Sequence, residues 1–284
     1  MGKSKIEWLN DGSVWNPVTG CTKVSEGCRN CYAESMAKRF WKDRKFTDIV
    51  MHTDRLDLPM RWRKPQVIFV NSVSDLFHEQ VPFDFVDRVF LEMSNASLHT
   101  FIILTKRPER MNEYVLSWTL DGGWYRRGNS DIWLTKYPYS NVWLGVSVED
   151  QKTADKRIPY LLKTNAVKRI VSVEPLIGEV DLKDYIQSGT GLDWVIVGGE
   201  SGANARPMKV EWVRTLCSQC EEANIPFFFK SWGEWLPAGQ RSVYPSDYLP
   251  KAVKYHDFGD SKSARIGRSK TGYYLDGIQY RQYP

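Results

Sequence analysis

The sequence predicts an α/β protein: a partial or full parallel β/α barrel with a basic C-terminal extension. Short apolar runs rich in β-branched and aromatic residues recur along the 284 residues, separated by intervals long enough for helices. Such alternation is typical of parallel βαβ units whose sheet is covered on both faces. Six or seven strands favour a barrel over a short open sheet, and a chain of this length can bury a full core.

The predicted elements follow one another regularly along the chain. The first strand, Val14–Val18, leads directly into a loop that contains cysteines. Later strands are expected at the apolar runs Val67–Val70, Phe101–Thr105, Val142–Val148, Arg169–Val173, Trp194–Val197 and Phe227–Phe229. Helices are expected from about Arg29, over Phe83–Asn95 and over Glu211–Ala223, where apolar residues recur at helical spacing. The glycine- and aromatic-rich segment 114–140 predicts an insertion or a long loop.

Charge is concentrated at the C-terminal end. Residues 236–284 carry eight Lys or Arg against four Asp or Glu, and tyrosines are interleaved with these cations. We therefore expect a barrel over 1–235 and a basic, aromatic extension over 236–284 that packs on it. Such a segment suits contact with the phosphates and bases of a nucleic acid. It equally suits a solvated tail folded over the core.

The composition also indicates the cellular compartment. The sequence has no run of about 18 apolar residues and no charged-then-apolar leader, so we expect neither a membrane span nor a signal peptide. Its five cysteines are odd in number and unevenly spaced, which argues against a secreted disulfide framework. We expect a reduced, cytoplasmic protein.

Three of the cysteines, Cys21, Cys28 and Cys31, lie within eleven residues. A glycine precedes each of the first two, and Pro17 lies just upstream, so the segment is predicted to be a loop. Structural zinc takes four ligands. A [4Fe–4S] cluster held by three cysteines instead leaves one iron open for chemistry. The three thiols are therefore the predicted metal ligands.

Polar residues or glycines follow six successive predicted strands. In β/α barrels the carboxyl ends of the strands surround the active site, so this concentration predicts a catalytic or ligand-binding mouth. Beyond the cysteine loop, the segments are Asn71-Ser72-Val73-Ser74-Asp75, Thr105-Lys106-Arg107-Pro108, Ser147-Val148-Glu149-Asp150, Ser172-Val173-Glu174-Pro175, Gly198-Gly199-Glu200-Ser201-Gly202 and Lys230.

The lead-in Asn16-Pro17-Val18-Thr19-Gly20-Cys21 and the exit Cys31-Tyr32-Ala33 resemble the cluster loop of radical S-adenosylmethionine (SAM) enzymes, closest to the spore-photoproduct-lyase-like branch. Motifs such as Lys230-Ser231-Trp232-Gly233 extend the resemblance, over nearly the full length, to a phage-associated family of three-cysteine radical-SAM-like proteins. Two features depart from the common pattern. Six residues rather than three separate the first two cysteines, and Asn30 stands where an aromatic residue usually precedes the last one.

The resemblance implies a mechanism. Cys21, Cys28 and Cys31 would ligate three irons of a [4Fe–4S] cluster, and the fourth iron would take the amino and carboxylate groups of SAM. An electron from an external donor would cleave SAM to a 5′-deoxyadenosyl radical that abstracts hydrogen from the substrate. The implied substrate is a nucleic acid or nucleotide that is modified or repaired, and the pattern leaves room for a partner protein.

The resemblance and the strand ends together assign candidate residues. The candidates for binding SAM are Ser72, Ser74, Asp75, Lys106, Ser147, Glu149, Gly198, Gly199 and Glu200. The candidates on the substrate side are Glu174, Arg206 and Lys230.

Two alternatives from other functional classes stand beside this one. The chain could be a zinc-binding nucleic-acid adaptor in which Cys217 or Cys220 supplies the fourth ligand. It could also be an iron–sulfur protein whose cluster is structural or redox-active without cleaving SAM. Cys217 and Cys220 lie three apart on a predicted amphipathic helix, and the simpler interpretation is two buried thiols.

Overall fold

The strands and helices alternate along most of the chain. The computed structural model describes residues 4–121, 124–128, 131–134, 138–186, 191–243 and 254–284. In chain order the strands are β1 (Ser13–Trp15), β2 (Val18–Thr19), β3 (Val50–Met51), β4 (Val67–Val70), β5 (Thr100–Thr105), β6 (Trp118–Asp121), β7 (Trp124–Arg127), β8 (Trp133–Leu134), β9 (Val142–Val148), β10 (Arg169–Val173), β11 (Trp194–Gly198), β12 (Phe227–Ser231), β13 (Trp235–Pro237), β14 (Lys254–Asp257), β15 (Lys262–Arg265), β16 (Tyr274–Leu275) and β17 (Ile278–Gln279). The helices are α1 (Tyr32–Phe40), α2 (Phe83–Asn95), α3 (Pro108–Leu116), α4 (Gln151–Lys163), α5 (Val210–Glu222) and α6 (Arg268–Thr271).

Seven of the described strands form one parallel sheet in the order β1-β4-β5-β9-β10-β11-β12. The order follows the chain, as expected when each strand is joined to its neighbour by a βα crossover. The predicted fold class, a parallel β/α sheet of the partial-barrel type, is confirmed. Within the described residues, none of the helices combines the length and the apolar composition needed to cross a bilayer.

The chain divides into two compact units. The first unit contains residues 1–24, 33–146 and 157–170, and the second contains 25–32, 147–156 and 171–284. The division separates the cysteine loop into two parts, since Cys21 belongs to the first unit and Cys28 and Cys31 belong to the second. The predicted boundary between residues 235 and 236 stays a prediction.

The first unit is built on β1, β4, β5 and β9. These strands pair in parallel, with Ser13 opposite Ile68, Val67 opposite Thr100 and Phe101 opposite Val142. Helix α2 has the predicted bounds, because its apolar residues fall on one face and are buried there. The segment predicted as an insertion contains, in its described residues, the antiparallel sheet β6-β7-β8.

Two predictions near the cysteines are wrong in detail. The strand predicted over Val14–Val18 ends at Trp15. Pro17 interrupts it, because proline has no backbone N–H for the ladder, and Val18–Thr19 pairs instead with Val50–Met51. The helix predicted from about Arg29 begins at Tyr32, after a 3₁₀ turn over Glu26–Cys28.

The second unit contains the end of β10 from Val171, together with β11, β12 and the described C-terminal region. Within it, β13, β14 and β15 form an antiparallel sheet, and β16 and β17 form a hairpin. The C-terminal residues are tied to β12 by backbone hydrogen bonds, from Phe229 N to Tyr280 O (3.0 Å) and from Gln282 N to Phe227 O (3.2 Å). The Arg281 guanidinium lies over the rings of Phe228 and Tyr273.

A buried ion pair attaches the β6-β7-β8 sheet to α2 and generates a stability prediction. The Asp87 carboxylate, fully buried on α2, accepts hydrogen bonds of 2.7–3.1 Å from Arg127 of β7. Arg127→Met would remove a bidentate counter-charge from a buried carboxylate. It should lower the free energy of unfolding by about 3 kcal/mol, measured by urea denaturation. Arg88→Met, on the exposed face of the same helix, should change it by less than about 0.5 kcal/mol. Equal effects would contradict the assignment.

Candidate functional site

In the first unit, the turn that follows β4 holds the lead-in to the first cysteine. The Ser74 hydroxyl donates to Val18 O (2.7 Å), and the Ser72 hydroxyl donates to Asn16 Oδ1 (3.3 Å). Asn71, in the left-handed region at φ 61°, accepts from Val18 N through its Oδ1. Ser72 and Ser74, predicted to bind SAM, thus contact the segment that precedes Cys21.

The backbone at Cys21 is fixed by a close approach that requires glycine. Gly20 has φ +97°, and a Cβ there would collide with the carbonyl oxygen of Asp48. The Cys21 N–H donates to Phe46 O at 2.9 Å. The backbone that carries this thiol is therefore fixed, and Cys21 itself is partly exposed.

A buried guanidinium lies beside this thiol. Arg107, the residue that precedes α3, is 5% exposed, and its Nη1 lies 3.6 Å from Cys21 Sγ. Its Nε donates to both carboxylate oxygens of Glu79 (2.8 and 3.0 Å), its Nη1 to Asp75 (3.3 Å) and its Nη2 to the Thr22 hydroxyl (2.9 Å). The fork of one arginine thus joins the cysteine loop to the segment that follows β4.

The charges around Arg107 keep it protonated. Burial alone would lower its pKa, but the charges of Asp75, Cys21 and Glu79 more than offset burial and raise the pKa above its ordinary value. A permanent positive charge within hydrogen-bonding distance of a sulfur atom favours the thiolate over the thiol. The thiolate is the form that binds iron.

The Asp75 carboxylate has little capacity left for a further ligand. Its Oδ1 accepts from the Thr105 hydroxyl (2.7 Å) and from Phe77 N (3.0 Å), and its Oδ2 accepts from Lys106 N (3.1 Å) and from Arg107. Lys106 is the residue of this segment predicted to bind SAM, whereas the structure places Arg107 at the thiol. The position of both residues at the end of β5 was the available signal.

In the second unit, a buried carboxylate holds the start of the remaining loop. Glu149, at the end of β9 and 1% exposed, accepts a hydrogen bond from the Ser25 hydroxyl at 3.0 Å. The same hydroxyl oxygen lies 3.8 Å from Cys28 Sγ. A Cβ on Gly27 would collide with Glu149 Cγ, so this close approach also requires glycine. Glu149 and the half-buried Ser147 were both predicted to bind SAM.

A second carboxylate in this unit holds the middle of the loop. Glu200, after β11, accepts hydrogen bonds from Asn30 Nδ2 (3.0 Å) and from Arg206 (2.6–2.9 Å). Arg206 Nη2 also donates to Glu26 O at 2.9 Å. Burial would raise the pKa of Glu200, but hydrogen bonds from Arg206 and Asn30 outweigh it and lower the pKa. Glu200 and Arg206 thus form an ion pair that binds the loop backbone.

The other predicted residues of this unit lie at the ends of β10, β11 and β12. The Lys230 ammonium forms a 2.8 Å ion pair with Glu174, which follows β10. A Cβ on Gly198 would lie 2.6 Å from Glu174 Oε1, and one on Gly199 would collide with Trp232 O. Both glycines therefore allow a close approach of the backbone to other groups of this chain.

Cys217 and Cys220 lie on α5 and are buried. Burial raises the pKa of the Cys217 thiol to about 11 and raises that of Cys220 further. Both thiols therefore stay protonated at neutral pH, which disfavours metal binding. All five cysteines lie in the described part of the chain, and none forms a disulfide.

Comparisons with known proteins gave one family and several distant structural similarities. A family model described as "Protein of unknown function (DUF5131)" matches residues 3–284. The comparison with curated proteins found no match. A spore photoproduct lyase complexed with dinucleoside spore photoproduct is similar at 12% identity and a TM-score of 0.43, over 87% of this chain and 66% of that chain. A mutant lyase with bound AdoMet and dinucleoside spore photoproduct is similar at 12% identity and a TM-score of 0.44, over 89% and 68%. The chain spans about two thirds of the length of these lyases.

The close approach at Gly27 generates a prediction about the cysteine loop. Gly27→Ala should lower the free energy of unfolding by about 1–3 kcal/mol, because the new methyl group overlaps Glu149. Urea denaturation measures the change. Gly239→Ala is a matched control, since a Cβ there meets no atom within 4 Å. In the double variant Gly27→Ala/Glu149→Ala the losses should be less than additive. Full additivity would contradict the contact.

The guanidinium beside Cys21 generates a prediction about thiol reactivity. In a variant with Cys28 and Cys31 replaced by Ala, Arg107→Met should slow alkylation of Cys21 by iodoacetamide at pH 7 about tenfold, because the thiolate loses its neighbouring cation. The rate is measured by mass spectrometry of the alkylated peptide.

Two variants of the same alkylation test separate charge from structure. Arg107→Lys keeps the charge and should retain most of the rate. Arg110→Met, which removes an arginine bonded to the carbonyls of His78 and Val81, should change the rate little. An unchanged rate in Arg107→Met would show that the guanidinium does not act on the sulfur.

Proposed function

Since the chain belongs to the DUF5131 family of proteins of unknown function, we propose from its own residues that it is a radical SAM enzyme. It would hold a [4Fe–4S] cluster through Cys21, Cys28 and Cys31 and act on a nucleic acid or nucleotide. The observation that carries the proposal is the cysteine loop: three partly exposed thiols without disulfides, each part of the loop fastened by buried charged side chains.

The chemistry of the donor set fits such a cluster. Thiolates are the ligands of iron–sulfur clusters, and each of three cysteines binds a different iron. Within the described residues, no three His, Cys, Asp or Glu side chains converge on one point as ligands of a single ion. Cluster ligands do not have to converge in that way. The positive charge of Arg107 beside Cys21 also suits a thiolate ligand.

When bound, the cluster and SAM would supply the one-electron chemistry that removes a hydrogen atom from the substrate. The chain's own residues would position the reactants. In the first unit the protonated guanidinium of Arg107 would place a positive charge beside the Cys21 sulfur. Asp75 and Glu79 fix that guanidinium through hydrogen bonds. In the second unit Glu149 and Glu200 hold the segment that carries the other two cysteines.

The proposed SAM-binding residues fall into two groups. Ser72, Ser74, Asp75, Glu149 and Glu200 already hydrogen-bond to the chain itself, so we propose that they act on SAM by fixing the loop. We propose Lys106, Ser147, Gly198 and Gly199 as residues of direct contact because they lie at or next to strand ends. An ammonium, a hydroxyl and closely approaching backbone suit the polar ends of SAM.

On the substrate side, we propose the Lys230–Glu174 ion pair as the group that meets the substrate. Both side chains are partly exposed, at 23% and 17%, and lie at the ends of β10 and β12, the two strands that flank β11. Arg206, paired with Glu200, would instead position the loop. An ammonium held by a carboxylate can donate a hydrogen bond to a phosphate or a base carbonyl.

Metal content and electron paramagnetic resonance test the proposal. Anaerobically reconstituted protein should bind about four irons per chain, and the spectrum of the reduced protein should change when SAM is added. Zinc without iron would favour the adaptor alternative. A cluster whose signal ignores SAM would favour a structural or redox role. Either result would overturn the proposal.

Two cysteine variants identify the ligands. Cys28→Ala should lose the cluster, whereas Cys217→Ala should retain nearly all of its iron, because the Cys217 thiol is buried and protonated. Iron content and the visible absorption of the cluster measure both. Equal loss in the two variants would contradict the assignment of the ligands.

A further inference from the structure

A basic segment with exposed aromatic character follows the cysteine loop within the first unit. Residues 38–45 carry five Lys or Arg (Lys38, Arg39, Lys42, Arg44 and Lys45) against a single Asp. Phe40 is 62% exposed, and the Arg39 guanidinium lies over its ring at 5.2 Å. Cations for phosphates and a ring for a base are the usual components of surfaces that bind single-stranded nucleic acid.

One cation of this segment is turned inward. The Arg44 guanidinium lies 3.8 Å from the ring centroid of Trp41, and its Nη2 donates to the Thr19 hydroxyl at 2.6 Å. Its Nη1 is enclosed by protein and has no hydrogen-bond partner among the described residues. An enclosed donor without an acceptor destabilises the folded state. Because the Arg44 side chain as a whole is only half-buried, a small outward movement of the guanidinium would let a ligand supply the missing acceptor.

Two further basic side chains lie near this arginine. His52 Nε2 forms a hydrogen bond with the Thr19 hydroxyl at 2.8 Å. Arg55 Nη1 donates to Asn16 O at 3.4 Å, and its charge acts on both Arg44 and His52. We call this group the Thr19 cluster: Thr19, Arg44, His52 and Arg55. The cluster lies directly before Cys21, because Thr19 is two residues upstream of that cysteine.

The Thr19 cluster has no paired counter-charge. Within the described residues, no carboxylate lies within 4.0 Å of the guanidinium of Arg44 or Arg55. Asp48 acts on Arg44, and Asp54 acts on His52, only at longer range. Burial and then the charge of Arg55 lower the pKa of Arg44. Burial and then the charges of Arg55 and Arg44 lower the pKa of His52. An anion would relieve this repulsion.

We propose that the Thr19 cluster binds a phosphate group of a nucleic-acid strand. Guanidinium groups and a hydroxyl are the side chains that most often contact phosphate oxygens. The strand would continue over the basic segment, with a base against Phe40. This inference deepens the proposed function, and only the identification of the strand as the enzyme's substrate rests on that function.

Three described cations of the C-terminal extension are weaker candidates for this role. Lys262 pairs with Asp257 (3.3 Å), Arg265 with Glu234 (3.9 Å), and Arg281 lies over two aromatic rings. Their charges are already partly compensated inside the second unit. The Thr19 cluster is where positive charge lacks compensation.

Fluorescence anisotropy with a labelled single-stranded oligodeoxynucleotide of about 12 nucleotides tests the proposal. Arg44→Met keeps the apolar stem on Trp41 and removes the charge, and it should weaken binding about tenfold. It should also reduce the slope of log K against log salt by about 0.7, as expected for one lost phosphate contact. Arg61→Met removes an equal charge from an exposed arginine paired with Asp57 and should leave affinity within about twofold. Equal losses in the two variants would overturn the proposal.

Thermal unfolding without nucleic acid provides a readout that a structural role would not give. Arg44→Met removes an uncompensated charge but also the hydrogen bond to Thr19, so the two effects oppose each other and the Tm should change by no more than a few degrees. A fall of more than about 10 °C would show that Arg44 is chiefly a structural residue, and it would overturn the argument for an anion site.

Two more arms identify the source of the phosphate and separate this inference from the radical function. Inorganic phosphate at matched ionic strength should compete only weakly with the oligonucleotide, and equal affinity for the free ion would overturn assignment to a nucleic-acid strand. The Cys28→Ala variant should bind the oligonucleotide as the unaltered protein does. If the unaltered protein binds the oligonucleotide but assembles no cluster, the proposed radical SAM activity is refuted and this site is not. If it assembles a cluster but does not bind the oligonucleotide, this site is refuted and the radical SAM activity is not.

Discussion

The buried guanidinium of Arg107 is the constraint on which the first half of the site depends. Removing an arginine from water costs several kcal/mol unless its donors are satisfied. Here Glu79, Asp75, Thr22 and Cys21 supply the acceptors. The planar fork of arginine fixes the directions of these bonds. The position of the Cys21 thiol is therefore coupled to the segments that follow β4 and β5, and any change that moves one of them moves the thiol.

In the second unit, buried negative charges take the place of the buried positive charge of Arg107. There the buried groups are carboxylates, and Glu149 and Glu200 accept from Ser25, Asn30 and Arg206. Substitution of either glutamate would therefore first disturb the segment around Cys28. A loss of activity in such a variant would not by itself show contact with SAM. Iron content has to be measured alongside activity, because a positioning residue and a ligand-binding residue differ in whether the cluster is retained.

The strands of the sheet could be predicted from the sequence because short runs of β-branched and aromatic residues, bounded by polar residues or glycine, are typical of buried strands. The sequence also placed polar residues at the strand ends, but it did not determine which side chain turns inward. Lys106 and Arg107 are adjacent and both basic, and the structure distinguishes them because Arg107 is the one that is buried and bonded to Asp75 and Glu79. The Thr19 cluster was missed for a related reason. A run such as 38–45 usually indicates a solvated face, and nothing in the pattern shows that Arg44 folds back on Trp41.

The electrostatics of the first unit are consistent with both proposals. A cluster held by three thiolates is anionic and becomes more so on reduction, so nearby cations stabilise the reduced form. Arg107 lies in contact with Cys21, and the Thr19 cluster lies two residues upstream along the chain. A phosphate bound at Arg44 would bring a negative charge toward the same thiol and oppose reduction there. The buried charge of Arg107, which is not shared with that phosphate, would keep the thiolate compensated when a substrate strand is bound.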